Sequence, residues 1–323
     1  MSVKDEVLKQ LENNKGSYIS GGQLAETLNV SRNSIWKAIK SLEKSGYQID
    51  AIPNRGYCLA ENNDILSSFS INQYLKNKLD INVYPIVSST NTVLKEMAEQ
   101  GAAEGTVVIA EEQNAGKGRM GKSFYSPSKT GIYVSILLRP TISAEESLFL
   151  TTSAAVAAAK AIEDVSNKTA DIKWVNDVYI ENKKVCGILT EGAFNVETNH
   201  LDYAIVGIGV NVLFPEGGFP KEIENIATAI FDNQTDSTNK RSMLIAHLLD
   251  YFMEYYKDFS SKKYVKEYIE RSMILGKKIH IIDGDKTIPA TAMEIDKKCR
   301  LKVQLDDGST RWLSSGEVSI RVN

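Results

Sequence analysis

The chain has 323 residues, of which 42% are hydrophobic and 24% charged, a composition typical of soluble globular proteins. This length allows two or three domains of roughly 100–200 residues each. No apolar run reaches the ~20 residues that a membrane-spanning helix needs. The first ten residues alternate charges without an apolar segment, so a secretory signal is not expected. These features predict a cytoplasmic protein that does not enter membranes.

The cysteines and the charge distribution narrow the class further. Cys58, Cys186 and Cys299 lie far apart and form no C-x-x-C pair, so neither a disulfide framework nor a zinc site is predicted. The net charge of −3 is unevenly spread, because residues 1–60 carry eight Lys/Arg and six Asp/Glu, a net of +2, and the rest carries −5. That asymmetry favours a small nucleic-acid-binding head on an acidic body.

Three helices are predicted at the start of the chain. Residues 3–13 form the first and residues 23–28 a short second. Ser31 is placed to cap the third, because its hydroxyl can accept an unpaired backbone N–H. The third helix carries one stripe of apolar residues at spacings of three and four, namely Ile35, Ala38, Ile39 and Leu42. A short helix, a tight turn and a capped helix predict a helix-turn-helix, whose second helix enters the major groove of DNA.

The segment after these helices predicts a wing. Residues 47–59 alternate like a two-stranded hairpin, with a turn at residues 53–56 and Arg55 at the tip. The candidate DNA contacts are Ser31, Arg32, Asn33, Ser34, Lys37 and Arg55. The alternative is a three-helix interaction module with a solvated basic face, but the hairpin with Arg55 favours DNA. Residues 61–64 have the polar composition of a linker.

A glycine-rich segment matches two nucleotide-binding patterns at once. Residues 116–123 satisfy both G-x-G-x-x-G and G-x-x-x-x-G-K-[ST], but each pattern requires a helix to begin directly after the glycines. Pro127 and Gly131 follow instead, and then a predicted strand at 132–138, so we reject both interpretations. The remaining feature is a mobile loop with several glycines, three cations and one aromatic ring. Such a loop favours phosphate or carboxylate binding.

The rest of the chain mixes helices and strands. Helices are predicted at 148–165, an alanine-rich segment that should cover the core, and at 92–100, 241–259 and 264–275. Strands are predicted at 107–110, 278–282, 301–305 and 318–322. His247 lies within a helix and is expected to be structural rather than catalytic.

At this point the chain resembles the biotin–protein ligases, in particular the bifunctional ligase–repressors. The loop Gln113–Phe124 looks like the G-R-G-R-x-G-R-x-W loop of that family. Four further motifs follow the family's order: Ser89–Asn91, Lys173–Asp177, Lys184–Leu189 and Gly207–Asn211. The resemblance covers nearly the whole chain, including the winged head and the β-rich end. It implies an α+β fold with an N-terminal winged helix-turn-helix, a central mixed β-sheet ligase domain with helices, and a C-terminal SH3-like barrel.

Three positions depart from the family's pattern. Lys117 and Lys122 stand where arginines are expected, which keeps the charge but loses the fork that binds two oxygens. Phe124 replaces the tryptophan expected to cover adenine, and Val175 replaces the proline of K-W-P-N-D. These changes bear on affinity rather than on the reaction.

The resemblance implies a two-step reaction. The carboxylate of biotin attacks the α-phosphate of ATP, giving biotinyl-AMP, and a lysine of a biotin carboxyl carrier domain then takes up the biotin. Because a carboxylate and a triphosphate repel each other, the first step needs cations more than an acid or a base. Arg119, Lys184 and Lys122 are the catalytic candidates, with Mg²⁺ expected on the ATP phosphates and no certain metal site in the protein. Biotinyl-AMP is expected to act as co-repressor and to favour a homodimer on operator DNA.

The resemblance also assigns ligand contacts. Ser89, Thr90, Asn91 and Gln113 offer donors and acceptors to the ureido ring of biotin, although Ser89–Asn91 could equally cap the helix that follows. The other expected biotin contacts are Gly116, Lys117, Gly118, Arg119, Lys184, Gly187 and Gly207. The expected ATP contacts are Lys122, Phe124, Lys173, Asn176, Asp177 and Asn211.

Two other functions compete with this one. The first is a biotin-sensing repressor without ligase activity, but a sensor of biotin alone would not need the cations of an ATP site. The second is a lipoate–protein ligase on a related fold, although a DNA-binding head is unexpected there. The predicted domains are residues 1–62 for DNA binding, 63–272 for catalysis and 273–323 for the C-terminal barrel.

Overall fold

A computed structural model describes residues 2–143, 146–195, 197, 200–232, 239–283, 286–314 and 316–320. Three helices and a hairpin form the head. They are α1 (Val3–Asn13), α2 (Gly21–Thr27), α3 (Arg32–Lys44), β1 (Ile49–Ile52) and β2 (Gly56–Leu59). The predicted helix-turn-helix and wing are therefore confirmed, and the apolar stripe of α3 is fully inside the head's own core.

Local capping explains where these helices begin. The Ser31 hydroxyl accepts the backbone N–H of Ser34 at 3.1 Å, as predicted, and so starts α3. Ser20 and Gln23 form a reciprocal capping box, which starts α2 two residues earlier than the sequence pattern suggests. Gly46 follows α3 with a φ of +92°, the left-handed conformation that ends a helix most readily at glycine.

The body is built on a seven-stranded sheet in the order β3-β4-β5-β9-β8-β7-β6, in which only β3 and β4 pair in parallel. Its strands are β3 (Asp80–Val87), β4 (Thr106–Gln113), β5 (Gly131–Leu138), β6 (Asp171–Lys173), β7 (Asp177–Ile180), β8 (Lys183–Asn195) and β9 (His200–Asn211). Its helices are α4 (Ser68–Asn72), α5 (Thr90–Glu99), α6 (Ser147–Ser166), α7 (Lys240–Lys257) and α8 (Tyr264–Glu270).

Helices cover both faces of the sheet. Helix α5 packs on one face through Leu94 and Ala98, which contact Val108 of β4. The main core lies on the other face, where α6 presents the buried run Ala154–Ala159. Small side chains there let the neighbouring helix α7 approach closely, so the prediction of a core-covering alanine helix is confirmed. Helix α8 ends five residues before the predicted end at residue 275.

No helix opens after the glycine-rich segment. A single 3₁₀ turn, Arg119–Gly121, is followed by extended chain and then by β5. The rejection of both nucleotide-binding patterns is therefore confirmed, because no helix N-terminus is present there to receive a phosphate.

The last part of the chain forms a five-stranded antiparallel sheet in the order β13-β12-β11-β10-β14. Its strands are β10 (Lys278–Asp283), β11 (Lys286–Ile295), β12 (Leu301–Leu305), β13 (Thr310–Leu313) and β14 (Glu317–Ile320). The sequence pattern missed β11 and β13, which are half exposed. Residues 321 and 322, which were predicted to extend the final strand, lie outside the described residues.

A buried arginine joins the linker to the body. Arg241, at the start of α7, is 1% exposed and bonds to the carboxylates of Asp64 and Glu111 at 2.7 Å each. It also donates to the carbonyl oxygen of Gly131, where β5 begins. In the head, the Lys15 ammonium donates to the carbonyl oxygen of Asn63 at 2.7 Å. The head is thus attached to the same strands that carry the glycine-rich loop.

Candidate functional site

Four polar residues form the floor of a cavity at the N-terminus of α5, namely Ser89, Thr90, Asn91 and Gln113. The backbone N–H and the hydroxyl of Thr90 donate to Gln113 Oε1 at 2.8 and 3.2 Å. Ser89 occupies the cap position of α5 but makes no side-chain cap hydrogen bond, and it lines the cavity. The Ser89 side chain therefore does not cap the helix by a hydrogen bond, and Ser89 belongs to the lining of the cavity.

Two residues missed in the sequence complete this floor. Ser135, fully buried in the apolar strand β5, donates to Thr90 Oγ1 at 2.7 Å and to Asn91 Oδ1 at 2.6 Å. Glu191 accepts from Asn91 Nδ2 at 2.6 Å. A serine among the apolar residues of a buried strand was the available signal for Ser135, since a buried hydroxyl requires a partner. Glu191 gave no such signal.

Glycines allow these groups to approach one another. A Cβ at Gly207 would lie 2.1 Å from Asn91 Oδ1, so only glycine fits beneath that amide. A Cβ at Gly116 would lie 2.4 Å from the carbonyl oxygen of Phe124, which pairs with the start of the loop through the Phe124 N–H and the Gly116 oxygen at 2.9 Å. Both glycines are thus required by close contacts, with a side-chain amide at Gly207 and with the backbone of Phe124 at Gly116.

Two cations of the glycine-rich loop bind acceptors elsewhere in the protein and so hold the loop in place. Arg119 Nη1 donates to Asn176 Oδ1 and to the carbonyl oxygen of Gly316, both at 3.1 Å. Lys122 forms an ion pair with Glu317 at 2.7 Å. Gly316 and Glu317 belong to the C-terminal part of the chain, which the sequence did not connect with this loop. Both cations bind protein acceptors in this conformation.

Phe124 fills much of the cleft between the floor and the loop. A Cβ at Gly209 would lie 2.5 Å from its ring, and one at Gly187 would lie 3.4 Å away. The ring also meets Tyr133 edge to face, with 6.4 Å between centroids. The cavity that remains is about 50 Å³, far below the roughly 300 Å³ of a small ligand pocket. The ring must therefore leave before a ligand can enter.

Most of the predicted ligand contacts meet at this cavity. Those that line it are Ser89, Thr90, Asn91, Gln113, Lys117, Gly118, Arg119, Phe124, Asn176, Lys184, Gly187 and Gly207. Five predicted contacts are not part of its lining: Gly116, Lys122, Lys173, Asp177 and Asn211. Of these, Asn211 lies at the end of β9, where its Nδ2 donates to the carbonyl oxygen of Thr228 at 3.2 Å.

Two lysines interact with Asp177, and of these Lys184 lines the cavity whereas Lys173 does not. Lys184 Nζ is 2.6 Å from Asp177 Oδ1, an ion pair that is not aligned as a hydrogen bond. Burial lowers the pKa of Lys173 below its ordinary value of 10.5, against the opposing effect of Asp177. Within the part of the chain that the structure describes, no group of three or more His, Cys, Asp or Glu side chains is arranged to hold a metal ion.

The head presents its polar face away from its core. Arg32, Asn33 and Lys37 are exposed along α3, as expected for groove contacts. The Arg55 guanidinium lies over the Tyr18 ring, 4.3 Å from its centroid, which fixes the tip of the wing. Across the described ranges, no helix combines the length and apolar character that crossing a bilayer requires.

This architecture defines a class of protein: a winged-helix DNA-binding head joined to a domain whose cavity combines hydrogen-bonding groups with cations. Three family models match the chain. They are the biotin/lipoate A/B protein ligase family over residues 83–211, an HTH domain over 4–58 and the biotin protein ligase C-terminal domain over 274–321.

Known relatives agree with the models. The chain is 34% identical over 261 residues to the bifunctional ligase/repressor BirA of Bacillus subtilis, covering 80% of this chain and 79% of that protein. It is 27% identical over 309 residues to BirA of Escherichia coli, covering 95% and 94%. The biotin protein ligase of Aquifex aeolicus, solved with biotin and ATP, matches with a TM-score of 0.57 at 26% identity, covering 76% of this chain and 99% of that chain. The chain belongs to the biotin/lipoate A/B protein ligase family, among its bifunctional ligase/repressors.

Proposed function

We propose that this protein joins biotin to a lysine of a biotin carboxyl carrier domain at the expense of ATP, and that it represses transcription in response to biotin. One observation carries the ligase proposal: the buried polar floor at Ser89–Asn91 and Gln113 faces Arg119 and Lys184 across a single cavity. Such a site fits a neutral hydrogen-bonding head group that bears a carboxylate tail.

The floor suits the ureido ring of biotin. That ring has two N–H donors and one carbonyl acceptor, and the Ser89 hydroxyl can meet either kind of group. Asn91 is held rigidly by Ser135 and Glu191, so its amide is oriented before the ligand arrives. Gly207 lets the Asn91 amide lie directly on β9, and the surface beside Gly187 can take the tail of biotin once the Phe124 ring has moved away.

The cations suit the first chemical step. A carboxylate oxygen of biotin attacks the α-phosphorus of ATP, the bond to the bridging oxygen of the β-phosphate breaks, and pyrophosphate leaves. Lys184 and Arg119 offset the charge that accumulates, provided that Arg119 exchanges the Gly316 carbonyl for the ligand. Mg²⁺ is expected to arrive on the ATP phosphates, with Asp177 the carboxylate next to Lys184.

The second step consumes the adenylate. The acceptor's lysine amine attacks the carbonyl carbon of biotinyl-AMP, the C–O bond to phosphate breaks, AMP leaves and the amine loses a proton. Closure of the loop residues 116–124 over the adenylate excludes water until the acceptor binds. The biotin carboxyl carrier domain and operator DNA are thus the two macromolecular partners.

We also infer the arrangement that links both activities. The DNA-binding domain is assigned to residues 1–62, the ligase to 63–272 and a C-terminal SH3-like barrel to 273–323. The outer part of β8, beyond its pairing with β7, has no neighbouring strand on that side within the described ranges. A second copy could add its own strand there, which supports a homodimer in the adenylate-bound state, acting in the cytoplasm.

The test supplies the full-length protein with ATP and either biotin or lipoate, with and without a carrier domain. We expect pyrophosphate release with biotin and a mass gain of one biotinyl group on the carrier. Binding of biotin without pyrophosphate release would instead identify a sensor that is not a ligase. A mass gain with lipoate alone would identify a lipoate ligase.

A further inference from the structure

A half-exposed tryptophan stands in the middle of the exposed side of α3. Trp36 is 51% exposed, although it is the largest apolar side chain on that helix. Its neighbours at spacings of three, one and four are Asn33, Lys37 and Lys40, all exposed. Tryptophan is among the residues that most often supply binding energy at interfaces, so an exposed ring in the centre of a polar and basic stripe points to a partner that covers it.

The other two tryptophans each have partners within the chain. Trp174 is 3% exposed, and its indole N–H donates to the carbonyl oxygen of Cys299 at 2.9 Å. Trp312 is 38% exposed but lies beneath Arg300 and Lys302, with 5.1 and 5.6 Å to the ring centroid. Trp36 has no hydrogen bond, ring contact or cation contact with any described residue.

The charge of the surroundings selects duplex DNA as the occupant. Arg32 and Lys37 lie on the same exposed side of α3, and Arg55 extends from the wing. Such a surface is complementary to phosphate on both sides of a groove. The apolar feature on the floor of the major groove is the C5-methyl group of thymine, which apolar side chains contact in direct readout.

We propose that Trp36 reads thymine methyl groups in the major groove and so determines part of the operator sequence. The proposal rests on the DNA-binding function proposed above and adds the residue that supplies sequence preference, whereas Lys37 and Arg55 contact phosphate. A phosphate contact adds affinity for any sequence; an apolar contact with a methyl group adds affinity only where thymine stands.

The test begins with duplexes selected by the full-length protein in the presence of biotin and ATP at fixed salt. Each thymidine of the selected half-site is then replaced by deoxyuridine, which removes the C5-methyl group alone. We expect one or two replacements to weaken binding by the wild-type protein about fourfold each, the factor conferred by burying one methyl group. Trp36→Ala should bind the intact site at least about tenfold more weakly and lose its sensitivity to those replacements.

Matched variants separate this contact from general effects. Lys37→Ala should weaken selected and random duplexes alike and reduce the salt slope by about one, while keeping the sensitivity to deoxyuridine. Val3→Ala removes an exposed apolar group on α1 and should change neither property. In a Trp312→Phe background, the remaining exposed tryptophan is Trp36, and its fluorescence should shift when operator binds.

Three outcomes overturn the proposal in different ways. Equal deoxyuridine sensitivity in the wild type and in Trp36→Ala would mean that Trp36 reads no methyl group, with DNA binding itself intact. Fluorescence of Trp36 that shifts with protein concentration or carrier domain, but not with operator, would place a protein on this ring. Failure of the wild type to select any duplex would refute DNA binding itself, and with it the role of Trp36.

Discussion

Among single side chains, Phe124 differs most from its expected role, which is to cover the adenine of ATP. Its ring lies on Gly187 and Gly209 inside the cleft rather than over a nucleotide. A ligand can enter only from the fraction of molecules in which the ring has left, which lowers the apparent affinity by that fraction. The loop that should retain the adenylate thus also obstructs the empty site.

Replacing this ring should speed up the entry of biotin. We expect Phe124→Ala to increase the association rate of biotin roughly two- to tenfold, since an edge-to-face aromatic pair is worth ~0.5–1.5 kcal/mol. The adenylate should also dissociate faster, because the loop has lost its aromatic cover. Stopped-flow binding measures both rates, and Tyr125→Ala, the exposed neighbour, serves as control. An unchanged association rate in Phe124→Ala would contradict a blocking role.

Lys173 should set an alkaline limit to adenylation. Burial lowers its pKa below 10.5, so its ammonium group is lost as the pH rises through that lowered value, and with it the attraction for phosphate. Lys173→Arg keeps the charge at every accessible pH, so we expect the alkaline limb of the pyrophosphate-release profile to move to higher pH. Lys183→Arg, at the exposed start of β8, should leave the limb in place. Identical profiles for the wild type and Lys173→Arg would exclude Lys173 from this role.

Among the structural elements, the start of α7 is the most sensitive point. Arg241 holds the linker carboxylate Asp64, the β4 carboxylate Glu111 and the first carbonyl of β5 together, almost without access to water. Burial raises the pKa of the Asp64 carboxyl, whereas the pairing with Arg241 lowers it. The effect of burial is larger, so this pKa lies above its ordinary value of 3.8. The buried charges of Asp64 and Glu111 are therefore compensated only while Arg241 is present.

Breaking this cluster should destabilise the body strongly. Arg241→Met leaves buried carboxylates without a counter-charge, which typically costs ~3–5 kcal/mol of unfolding free energy. Arg139→Met is the matched control, because that arginine is exposed and donates mainly to carbonyl oxygens at the surface. The Arg139→Met variant should lose no more than about 1 kcal/mol of unfolding free energy. Urea titration measures the unfolding free energy of both variants. Equal losses in the two would show that the burial of Arg241 does not make it more important for stability than an exposed arginine.

The glycine-rich loop is the second element with a definite expectation. Arg119 joins the loop to Asn176 and Gly316, so Arg119→Gly should leave the loop open more often. We expect the variant to form the adenylate but to release it, which appears as biotin labelling of bystander proteins. Lys129→Gly, beyond the loop, serves as control. Neither leakage nor weaker retention of adenylate in Arg119→Gly would show that the loop does not cover the intermediate.

For the molecule as a whole, the head should be separable from catalysis. Deleting residues 1–62 removes every proposed DNA contact but keeps Asp64, the linker partner of Arg241. We expect the truncated protein to transfer biotin and to bind no operator. A full-length Lys37→Ala, Arg55→Ala double variant distinguishes lost DNA contacts from lost head–body contacts such as Lys15–Asn63. Operator binding by the truncated protein would refute the assignment of this domain.

The two ends of the molecule should be linked through the ligand. A dimer places two winged heads on a palindromic site, and a ligand shifts that equilibrium only by its differential affinity for the dimer. Biotinyl-AMP, which we expect to contact both the biotin and the ATP residues of the cleft, should therefore strengthen operator binding more than biotin does, and carrier domain should weaken it. Operator affinity measured at fixed salt tests this. Equal affinity with and without biotin plus ATP would mean that the two functions are merely fused.

The resemblance to the biotin–protein ligases implied most of the residues that line the cavity. The sequence alone determined the helix-turn-helix and the rejection of the nucleotide patterns. These depend on signals within a few residues: caps such as Ser31, periodicity in α3, and Pro127 where a helix would have to begin. The tertiary structure alone decided which distant groups meet. Ser135 supports Asn91, Gly316 accepts from Arg119, and Phe124 lies on Gly209, because a helix, a loop and the strands of two sheets, all far apart in sequence, meet around one cavity. Contacts between elements that are distant in sequence leave no local mark in a single chain, so these could be found only once the tertiary packing was known.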